Sequence, residues 1–321
     1  MPSNTTPSGA PIAFPGVPRH RPIGPLAAGL ALAAVVLQVL LGRLLGIIDW
    51  SGCFCDERAS AWTPGVTAQV WYTASSVLIG ALLSRRLLAR GTPPAGQPEY
   101  FAAVVSPALA VLFVVPLVVG LAAGADSPRT IPAGIDIGAS VLVGALLGAL
   151  AAIVVFSFPR LIRPIWLHIG WIWLLGLLSV VISWEDRVGQ TVPIGSILIG
   201  GPGSEAAPID RTLHDITVSL MTVVAILGPA ALGSWLTWQA RSAGALTWES
   251  VAVGVAGPMF ALVTYFFRPD ALSGDNLDAF SLAAKTLLIT AVAAGAALLG
   301  HSVWHQPVAP HDSQYRSRHR Q

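Results

Sequence analysis

Lysine is almost absent from this chain: Lys285 stands alone among 321 residues. Charge of either sign is scarce, at 11% of residues against roughly 25% in soluble domains. A net charge of +2 offers no basic surface for nucleic acid, so none is expected as a partner. Cysteine is limited to Cys53 and Cys55, which excludes a disulfide framework and a multi-cysteine metal cluster. Catalytic signatures are missing too. There is no Gly-x-Ser-x-Gly elbow, no Walker-type phosphate loop, no His-Glu-x-x-His motif and no zinc-type cysteine spacing. The run Gly200-Gly201-Pro202-Gly203 has no Lys-Ser/Thr after it and cradles no phosphate. The expectation is a protein that is not an enzyme, with no catalytic residue, cofactor or metal.

What the chain has instead is apolar length. Hydrophobic residues make up 54% of it, and the mean hydropathy is +0.69. Eight apolar stretches cover residues 26–48, 66–83, 100–123, 135–158, 165–182, 213–239, 246–267 and 279–304. Each approaches the ~20 residues that a helix needs to cross a bilayer core, where only a self-satisfied backbone is stable. The fold class is therefore an all-α polytopic transmembrane bundle of about eight spans. Residues 1–22 are rich in Pro, Ser, Thr and Gly and read as a disordered tail, as do residues 305–321. The membrane domain occupies 23–304. Arg19 and Arg21 before the first apolar run resemble a signal peptide, but no small-residue cleavage site follows it, so the run reads as a retained span.

Loop arginines set the orientation. Arg19, Arg21, Arg85, Arg86, Arg90, Arg160, Arg163, Arg241, Arg316, Arg318 and Arg320 fall on one side; Arg58, Arg129, Arg187, Arg211 and Arg268 fall on the other. Eleven against five places both termini in the cytoplasm. Arginine in place of lysine, with abundant Ala, Gly and Pro, suggests a GC-rich bacterial genome and hence a bacterial cytoplasmic membrane. Trp166, Trp238, Trp248 and Trp304 at inner ends, with Trp50 and Trp184 at outer ends, form an aromatic belt. The long outer loop 183–212 reads as irregular.

The halves 23–158 and 165–304 resemble each other faintly. Ile48-Asp49-Trp50 leads to Asp56-Glu57-Arg58, and Ile182-Ser183-Trp184 leads to Glu185-Asp186-Arg187. Glu99 precedes Pro107 as Glu249 precedes Pro258, and Asp136 and Asp278 open the fourth and eighth spans. Two readings stand: an internal duplication, whose halves would be parallel repeats about an axis along the membrane normal, and chance similarity among hydrophobic helices.

Several residues are candidates for function. Gly228-Pro229 and Gly257-Pro258 sit mid-span in consecutive helices, and Pro107 and Pro116 lie in the third span. A helical proline frees a carbonyl one turn earlier, which in lipid needs a partner or a cavity. The turn 241–245 is short, so Pro229 and Pro258 are expected to share one depth in an antiparallel hairpin. Lys285 is expected to pair inside the bundle with Asp215 or Asp136, because an unpaired ammonium there is costly. With Pro229 and Pro258 these residues make the candidate solute or ion pathway. The bland alternative is interfacial ion pairing, with Arg43 and Lys285 snorkelling. His168 and His301 have the matching depth that bis-imidazole haem ligation requires, but also suit a membrane interface. Cys53 and Cys55 lie in an outer loop and read as structural. Gly144-x-x-x-Gly148 permits close helix contact, placing the fourth span in the interior or at a dimer seam.

Three functional classes remain. The first is permease-like transport of a small solute, resting on the Gly-Pro pairs and the polar cluster. The second is an accessory or scaffolding subunit of a membrane complex, favoured by sparse intramembrane charge. The third, a haem b-binding redox protein, rests only on His168 and His301. Expected partners are the lipid bilayer and either further copies of the chain or another membrane protein.

Overall fold

A computed structural model describes residues 23–45, 48, 50, 52–53, 59–88, 97–126, 132–182, 208–266 and 275–304. The fold is an all-α polytopic bundle. Its helices are α1 (Ile23–Leu44), α2 (Ala59–Leu88), α3 (Gln97–Val111), α4 (Val115–Leu121), α5 (Ala133–Ser157), α6 (Ile162–Ile182), α7 (Pro208–Ser242), α8 (Thr247–Phe266) and α9 (Asp275–Trp304). α3 and α4 form one broken crossing, so the described residues hold eight helical spans long and apolar enough for a membrane. Both expected tails lie outside the described residues, as does most of the 183–212 loop. Its last residues, from Pro208, are the first turn of α7.

Contacts at the helix ends confirm that successive spans alternate in direction. β1 (Gly52–Cys53) follows α1 and β2 (Ala125–Asp126) follows α4, and they pair in parallel, so those loops share one face. We call it the β face. At the opposite face, Arg160 pairs with Glu249, and the Arg163 Nη1–H donates to Gln239 Oε1 at 2.6 Å. Arg85 lies 5.2 Å over the Phe156 ring and Arg163 4.8 Å over Trp235. These contacts gather the ends of α2, α5 and α7 with the starts of α6 and α8. This is the arginine face.

The prolines show how a broken helix stays satisfied. Pro116 has no N–H for the Leu112 carbonyl. That carbonyl instead accepts from Val115 N–H in a short 3₁₀ turn, Leu112–Val114. Between α7 and α8 the chain turns at Gly244, whose φ of 80° is left-handed. Gly244 N–H donates to Arg241 O and Ala245 N–H to Ala240 O, both at 3.0 Å, which is a Schellman cap. The Arg241 guanidinium also donates to Ala245 O at 2.9 Å. The expected antiparallel hairpin is therefore built and locked.

α2 is the axis of the bundle. Its apolar window is 89% buried, whereas that of α9 is 11% buried and faces lipid. α1, α3, α5, α8 and α9 all pack against α2. The Gly144-x-x-x-Gly148 stripe of α5 lies directly on it: a β-carbon at Gly144 would stand 2.6 Å from Val70 O, and one at Gly148 2.7 Å from Ala74 O. The fourth span is thus interior. Trp50, expected in the aromatic belt, is instead 1% exposed, because the chain after α1 folds back over α2.

Within each half the main packings match. The first span meets the second and third, the second meets the third and fourth, and the third meets the fourth. The halves dock unsymmetrically, however. α2 packs on α8 and α9, and α5 packs on α8. The counterpart pairs α7 with α3 or α5, and α9 with α3, are not among the main packings of the described residues. A repeat axis along the membrane normal, one of the two readings of the sequence, does not relate the halves in these packings.

Candidate functional site

The proline pairs meet where α6, α7 and α8 cross. Pro229 lies 13 residues before Ser242 and Pro258 11 after Thr247, which places them roughly 17–20 Å from the arginine face. That is about halfway through a ~30 Å core. Both line one shallow cleft, together with His168, Leu232, Gly254 and Gly257; its cavity volume is ≈ 10 Å³, about the room of a single water.

The glycine of each pair is a seat for an aromatic ring from α6. His168 and Trp171 are three residues apart and so share a helix face. A β-carbon at Gly257 would stand 2.5 Å from His168 Cβ, and one at Gly228 would overlap the Trp171 ring. α7 and α8 also touch backbone to backbone. A β-carbon at Gly233 would lie 2.7 Å from Gly254 O, and one at Gly254 2.8 Å from Gly233 O. Pro258 carries no N–H for the Gly254 carbonyl four residues earlier. That carbonyl points at Gly233, whose bare Cα can approach it as a weak C–H donor. The polar groups in the cleft are therefore the His168 imidazole and backbone carbonyls, and among the described residues no Asp, Glu, Lys or Arg lines it. With room for about one water, such a crossing can flex as a hinge.

The other pathway candidates lie elsewhere. Lys285 is exposed on α9, 19 residues before Trp304 and hence ~29 Å from the arginine face. Asp136 is buried on α5, 21 residues before Ser157 and ~32 Å from that face. Both are rim residues, and α5 and α9 do not pack together among the main helix pairs. The expected Lys285–Asp136 pair inside the bundle is not formed; a long apolar stem lets the ammonium reach the interface instead. Asp215 is helical in α7, 26 residues and ~39 Å before Arg241, beyond a ~30 Å core. Its side chain, like those of His214, Asp278 and Cys53, lies outside what is described, as do Cys55 and Trp184. Lys285→Met is accordingly expected to give wild-type folded yield in size-exclusion chromatography; a loss of half or more would reinstate a buried pair.

The histidines are also kept apart. His168 rests on Gly257 of α8, and the His301 ring meets Trp238 of α7 edge-on at 5.0 Å. α7 and α8 each pack against both α6 and α9, so protein fills the space between the two rings. This arrangement does not make them a haem pair.

Sequence reasoning missed the most connected polar residue. Gln38 of α1 is 5% exposed and makes four hydrogen bonds. Its Nε2 donates to Ser76 Oγ at 2.6 Å and to Tyr72 O at 3.3 Å. Its Oε1 accepts from Ser75 Oγ–H and Trp173 Nε1–H, both at 3.1 Å. Tyr72 and Trp173 stack beside it, with centroids 5.6 Å apart. The signal was present. Thr67, Gln69, Tyr72, Thr73, Ser75 and Ser76 crowd ten residues of a span, and neutral polar groups in lipid need partners as charged ones do.

No protein-family model, curated protein or solved structure matches this chain. Its membrane nature rests on its own eight apolar helices.

Proposed function

We propose that this is a permease-like protein, without catalytic activity, that moves a small solute across a bacterial cytoplasmic membrane with both termini inside. The observation that supports this reading most is the shared cleft. Two consecutive spans each carry an internal proline near the midplane, and both prolines line the same cleft beside His168. Helix-weakening residues near the midplane are where transporters expose backbone groups to a solute. A locked turn at Gly244 joins the two proline-bearing spans at the arginine face. Movement about Pro229 and Pro258 would therefore swing their β-face halves while the turn stays fixed.

Sidedness of access tests this. In a Cys53→Ser/Cys55→Ser background, Leu232→Cys places a thiol in the cleft. An impermeant maleimide is applied to either side of sealed vesicles. The reporter is expected to label from both sides. Pro258→Ala restores a backbone N–H and should bias labelling to one side by roughly tenfold, as for a two-state element shifted by about 1.4 kcal/mol. Labelling from one side only, unchanged by Pro258→Ala, would favour the accessory-subunit reading and leave the breaks as packing devices.

A further inference from the structure

The crossing of α6, α7 and α8 holds one polar group that packing alone leaves idle. His168 is six residues into α6, ~9 Å below its start. It is only 6% exposed, yet its imidazole forms no hydrogen bond among the described residues. The ring is not sealed off, because it borders the water-sized cleft together with Gly254, Gly257 and Pro258. A β-carbon at Gly257 would stand 3.0 Å from His168 Nδ1, so that edge of the ring lies against α8. Helical carbonyls point about one turn onward, which aims the Gly254 carbonyl along α8 toward Gly257 and Pro258. Pro258 has no N–H to give it. The imidazole and a backbone acceptor lacking its helical donor thus border one space.

The charged groups of the surrounding helices are engaged elsewhere. Arg163 of α6 lies five residues nearer the arginine face, its guanidinium over Trp235 and donating to Gln239 of α7. Glu249 of α8 lies eight residues before Gly257 and pairs with Arg160. Arg241 of α7 donates to the Ala245 carbonyl. On α9, the His301 ring meets Trp238 and Lys285 is exposed. His168 is therefore the one titratable side chain among the described residues that lines the cleft.

An imidazole is the side chain suited to take a proton near physiological pH. On uptake a hydronium ion gives its proton to the free lone pair of the ring and leaves as water; both ring nitrogens are then donors and the cleft gains a positive charge. In the closed crossing that charge has one freed carbonyl and room for about one water. A cation inside a membrane needs more polar contact than this, and a wider crossing admits the water that supplies it. The proton therefore binds the open crossing better than the closed one, and such a ligand shifts the equilibrium toward the open state. We propose that His168 is the proton-binding site of the α6–α8 cleft and that proton uptake there opens the crossing at Pro258. The proton would then be the coupling ion of the permease, a role that rests on the permease reading.

The test is the rate at which a maleimide labels Leu232→Cys in the Cys53→Ser/Cys55→Ser background, with the full-length protein in lipid nanodiscs, where both faces are reached. Ser242→Cys, exposed at the α7–α8 turn, corrects each rate for the pH dependence of the thiol itself. With His168 present, the corrected rate is expected to rise roughly tenfold from about pH 8 to about pH 6. His168→Gln should make it flat, and His168→Asn serves if that variant does not fold. A flat rate with His168 present, a rise that persists in the His168 variants, or no labelling at any pH overturns the assignment. The nanodisc rate does not depend on the side of access. Labelling of sealed vesicles from one side only, unchanged by Pro258→Ala, would therefore count against the permease reading, while a His168-dependent rise in nanodiscs would still establish the proton site.

Discussion

Gln38→Leu is expected to destabilise the folded protein by about 3 kcal/mol, from four hydrogen bonds at roughly 0.6–1 kcal/mol each in a membrane interior. Leucine removes the hub but leaves its partners. Trp173 Nε1–H loses its acceptor, Ser76 Oγ loses its donor, and the Ser75 hydroxyl keeps only the Tyr72 carbonyl. The loss also crosses the halves, because Trp173 of α6 donates to Gln38 of α1 and stacks on Tyr72 of α2. Titration with sodium dodecyl sulfate, followed by tryptophan fluorescence, measures the change. A shift below about 0.5 kcal/mol, the size of a neutral surface substitution, would show that the network is slack and water-replaceable.

A larger effect is expected at the α2–α5 seam. Gly144→Leu must place a side chain where Val70 O stands 2.6 Å and Thr73 Cβ 2.7 Å from the new β-carbon. Backbone cannot swing aside as a flexible side chain can, so the two helices must separate. Overpacking typically costs 1–3 kcal/mol and can cost more where backbone is the obstacle, so folded protein should be lost almost entirely. The control is Gly138→Leu on the same helix. There the nearest neighbour is Val115 Cγ1 at 3.8 Å, an ordinary contact. Folded yield by size exclusion should stay near wild type for Gly138→Leu and collapse for Gly144→Leu. Equal behaviour of the two variants would show that α5 does not bear directly on α2.

Much of the architecture was legible in the chain because it follows from solvent. Lipid offers no hydrogen bonds, so long apolar runs have to be helices, and their number, length and alternation follow from composition alone. The Gly144-x-x-x-Gly148 contact and the α7–α8 hairpin were readable for local reasons: small residues permit close approach, and a five-residue turn leaves no other geometry. The shared depth of Pro229 and Pro258 followed from counting residues at a fixed rise.

The polar chemistry was harder to read. Counting charges drew attention to Lys285, Asp136 and Asp215, yet a long side chain such as that of Lys285 reaches water along its apolar stem and needs no partner in the bundle. Gln38, Gln69 and Tyr72 carry no charge and passed as ordinary residues of apolar spans. Their importance depends on which face of α1 and α2 turns inward, and a span that is apolar all round does not specify that face.

By itself, then, the sequence determined an all-α membrane bundle of eight crossings, one close glycine seam and two proline breaks at a single depth, because each is a consequence of apolar length, residue size or chain distance. Only the tertiary structure decided that α2 is the axis, that the matching halves dock without symmetry, and that His168 and Trp171 are seated on the glycines beside Pro258 and Pro229. It alone drew Gln38 of α1, Ser75 and Ser76 of α2 and Trp173 of α6 into one network. The physical reason is that rotation and partner choice of packed helices are set by contacts between residues far apart in the chain, which local pattern does not encode.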